Sequence, residues 1–135
     1  MREILFRGKD MFGEWIQGDL LQYLNSQILY IAQNYVGAGD QEVVPETVGQ
    51  YTGITDDNGK KIFEGDILKV VDSKYKRTYI TKVCIYFNTL CVKTCGNSYE
   101  TTPIGFANAI WDSESYKVEV IGNIYDNPEL LKVEE

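Results

Sequence analysis

Histidine is absent from the chain. Its absence removes the commonest general base, every His-assisted nucleophile and every mixed His/Cys zinc site. Three cysteines, Cys84, Cys91 and Cys95, are the remaining thiol candidates. They are too few for a four-cysteine site, and Val92, Lys93 and Thr94 separate the last pair. Cys84 and Cys91 lie on either side of an Asn88-Thr89 turn signal, where a hairpin could set them face to face. The thiols therefore read as reduced side chains on strands, with no metal and no cofactor expected.

Acidic residues offer the next candidate chemistry. Asp56-Asp57-Asn58-Gly59 opens like a calcium loop, but the acids do not alternate and the twelfth position is Ile67 where such a loop carries glutamate. Asp, Asn and Gly tolerate left-handed backbone angles, so the segment reads as a tight turn. Gly37-Ala38-Gly39-Asp40 is too short and wrongly placed for a dinucleotide fingerprint. No nucleophile–base pair can be assembled, and the chain is not expected to be an enzyme.

One basic cluster stands out. Lys69, Lys74, Lys76, Arg77 and Lys82 are opposed only by Asp72, with Tyr75 and Tyr79 interleaved. On a hairpin they would form a cationic tip on an acidic protein, with Lys74, Tyr75, Lys76, Arg77 and Tyr79 as a candidate binding patch. The bland reading of the same residues is a solvated hairpin tip. Trp15 and Trp111 could anchor an interface or fill a core.

The elements that must carry these groups are β-strands. In 135 residues, ten tyrosines and two tryptophans favour strands over helices, and the length suits one domain with at most a small appendage. Net charge is −7, which disfavours non-specific contact with a polyanion. Residues 112–135 hold seven acidic and two basic groups, 2 − 7 = −5, as a solvated end would. The N-terminus lacks the apolar run of an export signal and no segment is apolar enough to span a membrane, so a cytoplasmic location is expected.

Ile4-Leu-Phe-Arg7, residues 13–24 and Ile28-Leu-Tyr-Ile-Ala-Gln33 read as strands, with Asn25-Ser-Gln27 as a polar connector. Residues 36–42 read as loop, and Pro45 starts a connector towards Thr47-Val-Gly-Gln-Tyr-Thr52. Residues 66–72, 78–87, 90–94 and 116–121 read as further strands, the alternation Val83, Ile85, Phe87 marking the better-buried face. Residues 103–111 fit neither period. Asn127-Pro128-Glu129 reads as the N-cap and first turn of a short terminal helix. One pattern occurs twice: Trp15-Ile-Gln-Gly-Asp-Leu-Leu21 and Ile62-Phe-Glu-Gly-Asp-Ile-Leu68. It predicts the same corner in both places, with glycine relaxing the backbone, aspartate bonding a nearby N–H, and a strand following.

Residues 50–68 concentrate the turn chemistry: Gly53, then Asn58-Gly59 between two short strands, then Gly65-Asp66 launching a third. This segment resembles the centre of the YopX-like proteins of phages and prophages. The likeness extends to Met1-Arg-Glu-Ile-Leu-Phe-Arg-Gly8, Gly13-Glu-Trp-Ile-Gln-Gly-Asp19, Val44-Pro-Glu-Thr-Val-Gly-Gln-Tyr-Thr-Gly53 and Val120-Ile-Gly-Asn-Ile-Tyr-Asp-Asn-Pro-Glu-Leu-Leu131. It implies a cytoplasmic phage or prophage accessory protein, mainly β, and it supplies no catalytic residues. The expected architecture is a compact SH3-like or partly open β-barrel over residues 44–125. Residues 1–43 add an N-terminal β-hairpin layer, and 44–135 hold the barrel with its short acidic end. The expected role is non-enzymatic binding of a host or phage protein, with nucleic-acid binding by residues 69–82 as the alternative. Self-association into a homo-oligomer remains open.

Overall fold

The computed structural model describes residues 3–33, 39–86, 89–93, 101–103 and 116–132. The chain divides into two compact units, Met1–Gly53 and Ile54–Glu135. Both are built from antiparallel strands, and the only helical segments among the described residues are 3-10 turns. None is long and apolar enough to cross a membrane.

The first unit contains β1 (Phe6–Lys9), β2 (Trp15–Gln22), β3 (Leu29–Ala32), β4 (Gln41–Val43), a 3-10 turn (Pro45–Thr47) and the start of β5 (Gly49–Thr55). The turn between β1 and β2 is made by Asp10, whose Oδ1 accepts the Phe12 and Glu14 N–H groups, both at 2.9 Å. At the other end of β2, Asn25 takes the left-handed conformation at φ 63° and Ser26 N–H reaches Tyr23 O at 3.1 Å. Ile16, Ile31 and Val43 form the core, with Leu20, Leu29 and Val48 packed against them. Alternation along β2 places Ile16 inward and Gln17 outward, as a strand with one buried face requires.

The second unit contains β6 (Lys61–Phe63), β7 (Asp66–Asp72), β8 (Arg77–Tyr86), β9 (Thr89–Lys93), β10 (Thr101–Pro103), β11 (Tyr116–Asn123) and a 3-10 turn (Pro128–Lys132). β7 pairs with β8 on one side and β11 on the other, with a register shift between Val120 and Gly122. Ile62, Leu68, Val70, Val83, Val118 and Val120 form its core, joined by Ile54, Tyr79 and Tyr116.

The strands fall into two sheets, ordered β4-β3-β2-β1-β5-β6 and β10-β9-β8-β7-β11. No closed barrel forms among the described residues: each order ends on an edge strand. The start of β5 pairs with β1, Phe6 opposite Gln50 and Arg7 opposite Gly49, which commits that strand to the N-terminal sheet.

Several sequence readings change here. Residues 41–43 were expected in a loop and form β4. The C-terminal segment is a 3-10 turn, and Asn127 does not face forward as an N-cap. Its Oδ1 turns back and accepts the Asn123 N–H at 3.2 Å. A Cβ on Gly122 would come 2.5 Å from that same oxygen, so glycine leaves room for the turned-back side chain. Of the ambiguous segment 103–111, only Pro103 lies within the described residues, in β10.

Candidate functional site

The signature carboxylates are turned inward. Asp56 is buried, and its Oδ1 accepts the N–H groups of Asn58 at 2.9 Å and Lys60 at 2.8 Å. Its Oδ2 accepts the Val120 N–H at 2.9 Å, 64 residues away on β11. Asp57 continues the clamp: its N–H donates to Val118 O at 3.0 Å, and its Oδ2 accepts the Val118 N–H. Gly59, at φ 82°, lets the Asn58-Gly59 turn close. Two adjacent aspartates thus bind backbone N–H groups of β11, the strand next to β7. An unpaired β-edge would leave such groups open to another chain, and the clamp occupies them.

The Gly65-Asp66 corner is equally internal. Gly65 sits at φ 92°; its N–H donates to Val83 O and its carbonyl accepts the Ile124 N–H, both at 2.8 Å. Asp66 is 1% exposed, and its Oδ2 accepts the Phe63 N–H at 2.7 Å. Gly53, also left-handed at φ 89°, lies within β5. These sites do what turn residues do, and their carboxylates are engaged as acceptors rather than poised over a cleft. Among the described residues, no cluster of three or more His, Cys, Asp or Glu side chains is placed to hold a metal ion.

The basic hairpin is the exposed candidate. Buried Asp72 starts the turn, its Oδ1 accepting Lys74 N–H at 3.1 Å and Tyr75 N–H at 3.3 Å. Lys76 completes it in the left-handed conformation at φ 55°. Lys74, Tyr75, Lys76 and Arg77 are all exposed, with the Lys74 ammonium 5.3 Å from the Tyr75 ring centre. The Arg77 guanidinium donates to the Tyr79 hydroxyl at 3.5 Å, and that contact raises its pKa further. Tyr79 itself packs against the core. The other two cations do not join this tip. Lys69 lies opposite Ile80 and Lys82 opposite Ile67, so period-two alternation puts both on the sheet face away from Arg77 and Tyr79. Lys69 also lies directly opposite Glu119 on β11. The five-cation cluster of the linear sequence is two separate groups in space.

The family model described as "YopX protein" matches residues 5–132. The chain belongs to the YopX family. A solved structure, that of protein EF1440 from Enterococcus faecalis, is similar over 98% of this chain and 100% of its own, with 25% sequence identity and a TM-score of 0.58. No curated protein matches the chain.

Sequence reading of this YopX family chain missed its exposed apolar tips. Phe12 and Leu24 are each 91% exposed, with Met11 and Tyr23 beside them. They lie on the β1–β2 and β2–β3 turns, at opposite ends of β2, and the Asp10 acceptor fixes the first turn. Tyr23 also meets Tyr30 edge-on at 5.6 Å. Trp15 is neither core nor free anchor: it is half-buried, with the Arg7 guanidinium 4.7 Å and the Lys9 ammonium 5.5 Å from its ring centre. The register that sets Lys9 opposite Trp15 was the available signal. Trp111 lies outside the described residues.

Proposed function

We propose that this YopX family chain is a phage- or prophage-encoded accessory protein that works in the bacterial cytoplasm by binding another protein, without catalysis. The observation that carries this reading is a division of labour among side chains. Buried Asp56, Asp66 and Asp72 all accept backbone N–H groups within the fold, whereas Phe12 and Leu24 project into solvent from short turns. An exposed aromatic or leucine on a fixed turn has the character of an interface anchor. The finer architecture belongs to the same proposal. β7, β8 and β11 share one core, and the two Gly65 hydrogen bonds curl the segment between β6 and β7 against them, in support of a partly open, SH3-like second unit.

The alternative is nucleic-acid binding through the β7–β8 hairpin, favoured by the exposed Lys74, Tyr75, Lys76 and Arg77. It has fewer cations to work with than the sequence promised, because Lys69 and Lys82 face away. Two measurements on the same variants separate the readings. The Lys74→Glu/Lys76→Glu/Arg77→Glu protein should still capture its protein partner from host cells during prophage induction, and Phe12→Ser/Leu24→Ser should lose it. A mobility-shift titration of the wild-type chain should show no duplex binding at physiological salt. Sub-micromolar, salt-sensitive binding removed by the charge reversal would establish the alternative instead.

A further inference from the structure

Strands β8 and β9 bring Cys84 and Cys91 into direct register, between the pairs Val83–Val92 and Ile85–Leu90. Directly opposed residues in an antiparallel pair share a sheet face, with Cα atoms about 4.5–5.5 Å apart. A disulfide asks for Cα atoms about 4.4–6.8 Å apart, so the register alone meets its main geometric demand. Cys84 is half-buried, which leaves part of it open to a small solute. Lys82 and Lys93 each stand two residues from one of the cysteines, and period-two alternation places those positions on the same face as the pair. Neighbouring ammonium groups favour the thiolate, the nucleophilic form, and attract an anionic disulfide.

We propose that Cys84 and Cys91 form a reversible thiol–disulfide exchange site whose co-reactant is oxidised glutathione. The thiolate of one cysteine attacks a sulfur of that tripeptide disulfide, and the glutathione S–S bond breaks. One glutathione leaves as its thiolate and the other stays as a mixed disulfide. The second cysteine, deprotonated, attacks the protein sulfur of that bond, forms the Cys84–Cys91 disulfide and expels the second glutathione. One protein dithiol and one oxidised glutathione thus become one protein disulfide and two reduced glutathiones; excess reduced glutathione reverses the sequence. The site needs no protein partner, so it stands or falls separately from the binding function proposed above.

The test uses the full chain. Cleavage after Lys82 and after Lys93 releases residues 83–93 as one peptide carrying both cysteines and leaves Cys95 in the next. After exposure to oxidised glutathione, alkylation and digestion, this peptide should be two hydrogens lighter and carry no alkyl group. Treatment with reduced glutathione before alkylation should restore both alkylation sites. In a Cys91→Ser chain, Cys84 should stop as the glutathione adduct. Full alkylation of both cysteines after exposure, a lasting glutathione adduct on the wild-type chain, or a bond from either cysteine to Cys95 would each overturn the proposal.

Discussion

Gly18-Asp19 and Gly65-Asp66 occupy the same pattern of apolar, apolar, polar, Gly, Asp, apolar, apolar, yet the two glycines are needed for different reasons. Gly18 lies inside β2, and a Cβ there would fall 2.0 Å from the Ala32 carbonyl oxygen on the neighbouring strand. Its requirement is space. Gly65 lies between two strands at φ 92°, and its requirement is conformation, with the Tyr125 ring 3.1 Å from the added Cβ as a lesser constraint. The aspartates diverge as well. Asp19 is exposed in mid-strand, whereas Asp66 is buried and accepts the Phe63 N–H. The expected repetition of one corner is therefore wrong. A Gly-Asp pair has its meaning set by what lies across from it, and that neighbour comes from elsewhere in the chain.

The largest effect that would break this comparison belongs to Gly18. Gly18→Ala forces a carbonyl and a methyl into the same place, and backbone cannot yield as a side-chain tip can. It should destabilise the first unit by about 4 kcal/mol or more, read by urea unfolding and by loss of amide protection in β2 and β3. A variant within about 1 kcal/mol of wild type would show that the β2–β3 approach is not as close as described.

Next comes Asp56→Ala, which leaves the N–H groups of Asn58, Lys60 and Val120 without their acceptor. The expected loss is about 3 kcal/mol, concentrated where β11 meets the Asn58-Gly59 turn. Hydrogen exchange at Val120 should speed up far more than exchange at Ile16. Equal changes at both sites would rule out a local clamp.

Gly65→Ala should cost about 1–2 kcal/mol, the price of a left-handed alanine. Adding Tyr125→Ala sharpens the contrast with Gly18. It removes the side-chain obstacle but leaves the conformational one, so the Gly65→Ala penalty measured in that background should persist largely intact. If the penalty vanished, space rather than conformation would be the requirement at both glycines.

Strands with a clear period of two were legible in the sequence. The Leu68, Val70 and Tyr116, Val118, Val120 alternations identify β7 and β11 because burial on one face dictates them. The Cys84–Cys91 opposition followed from the two-residue turn signal between their strands, and the register bears it out. β4 was hidden because it has three residues, two of them exposed and polar, and takes its strand character from pairing with β3. The basic patch was half legible. Asp72 and the residues after it announce a tight turn, but a count of charges along the chain cannot tell which face of a strand a lysine occupies. Lys69 and Lys82 were lost to the patch for that reason. Phe12 and Leu24 gave no signal, because an exposed apolar residue on a turn looks like a core residue until the turn is built.

The most direct test of the central claim, that identical Gly-Asp steps serve different ends, compares Asp19→Ala with Asp66→Ala under the same denaturant series. Asp19→Ala changes an exposed strand position and should stay within about 0.5 kcal/mol of wild type. Asp66→Ala leaves the Phe63 N–H unpaired in a buried corner and should lose about 2–3 kcal/mol. A gap of that size between the two variants is the predicted result. Equal losses at Asp19 and Asp66 would contradict the account.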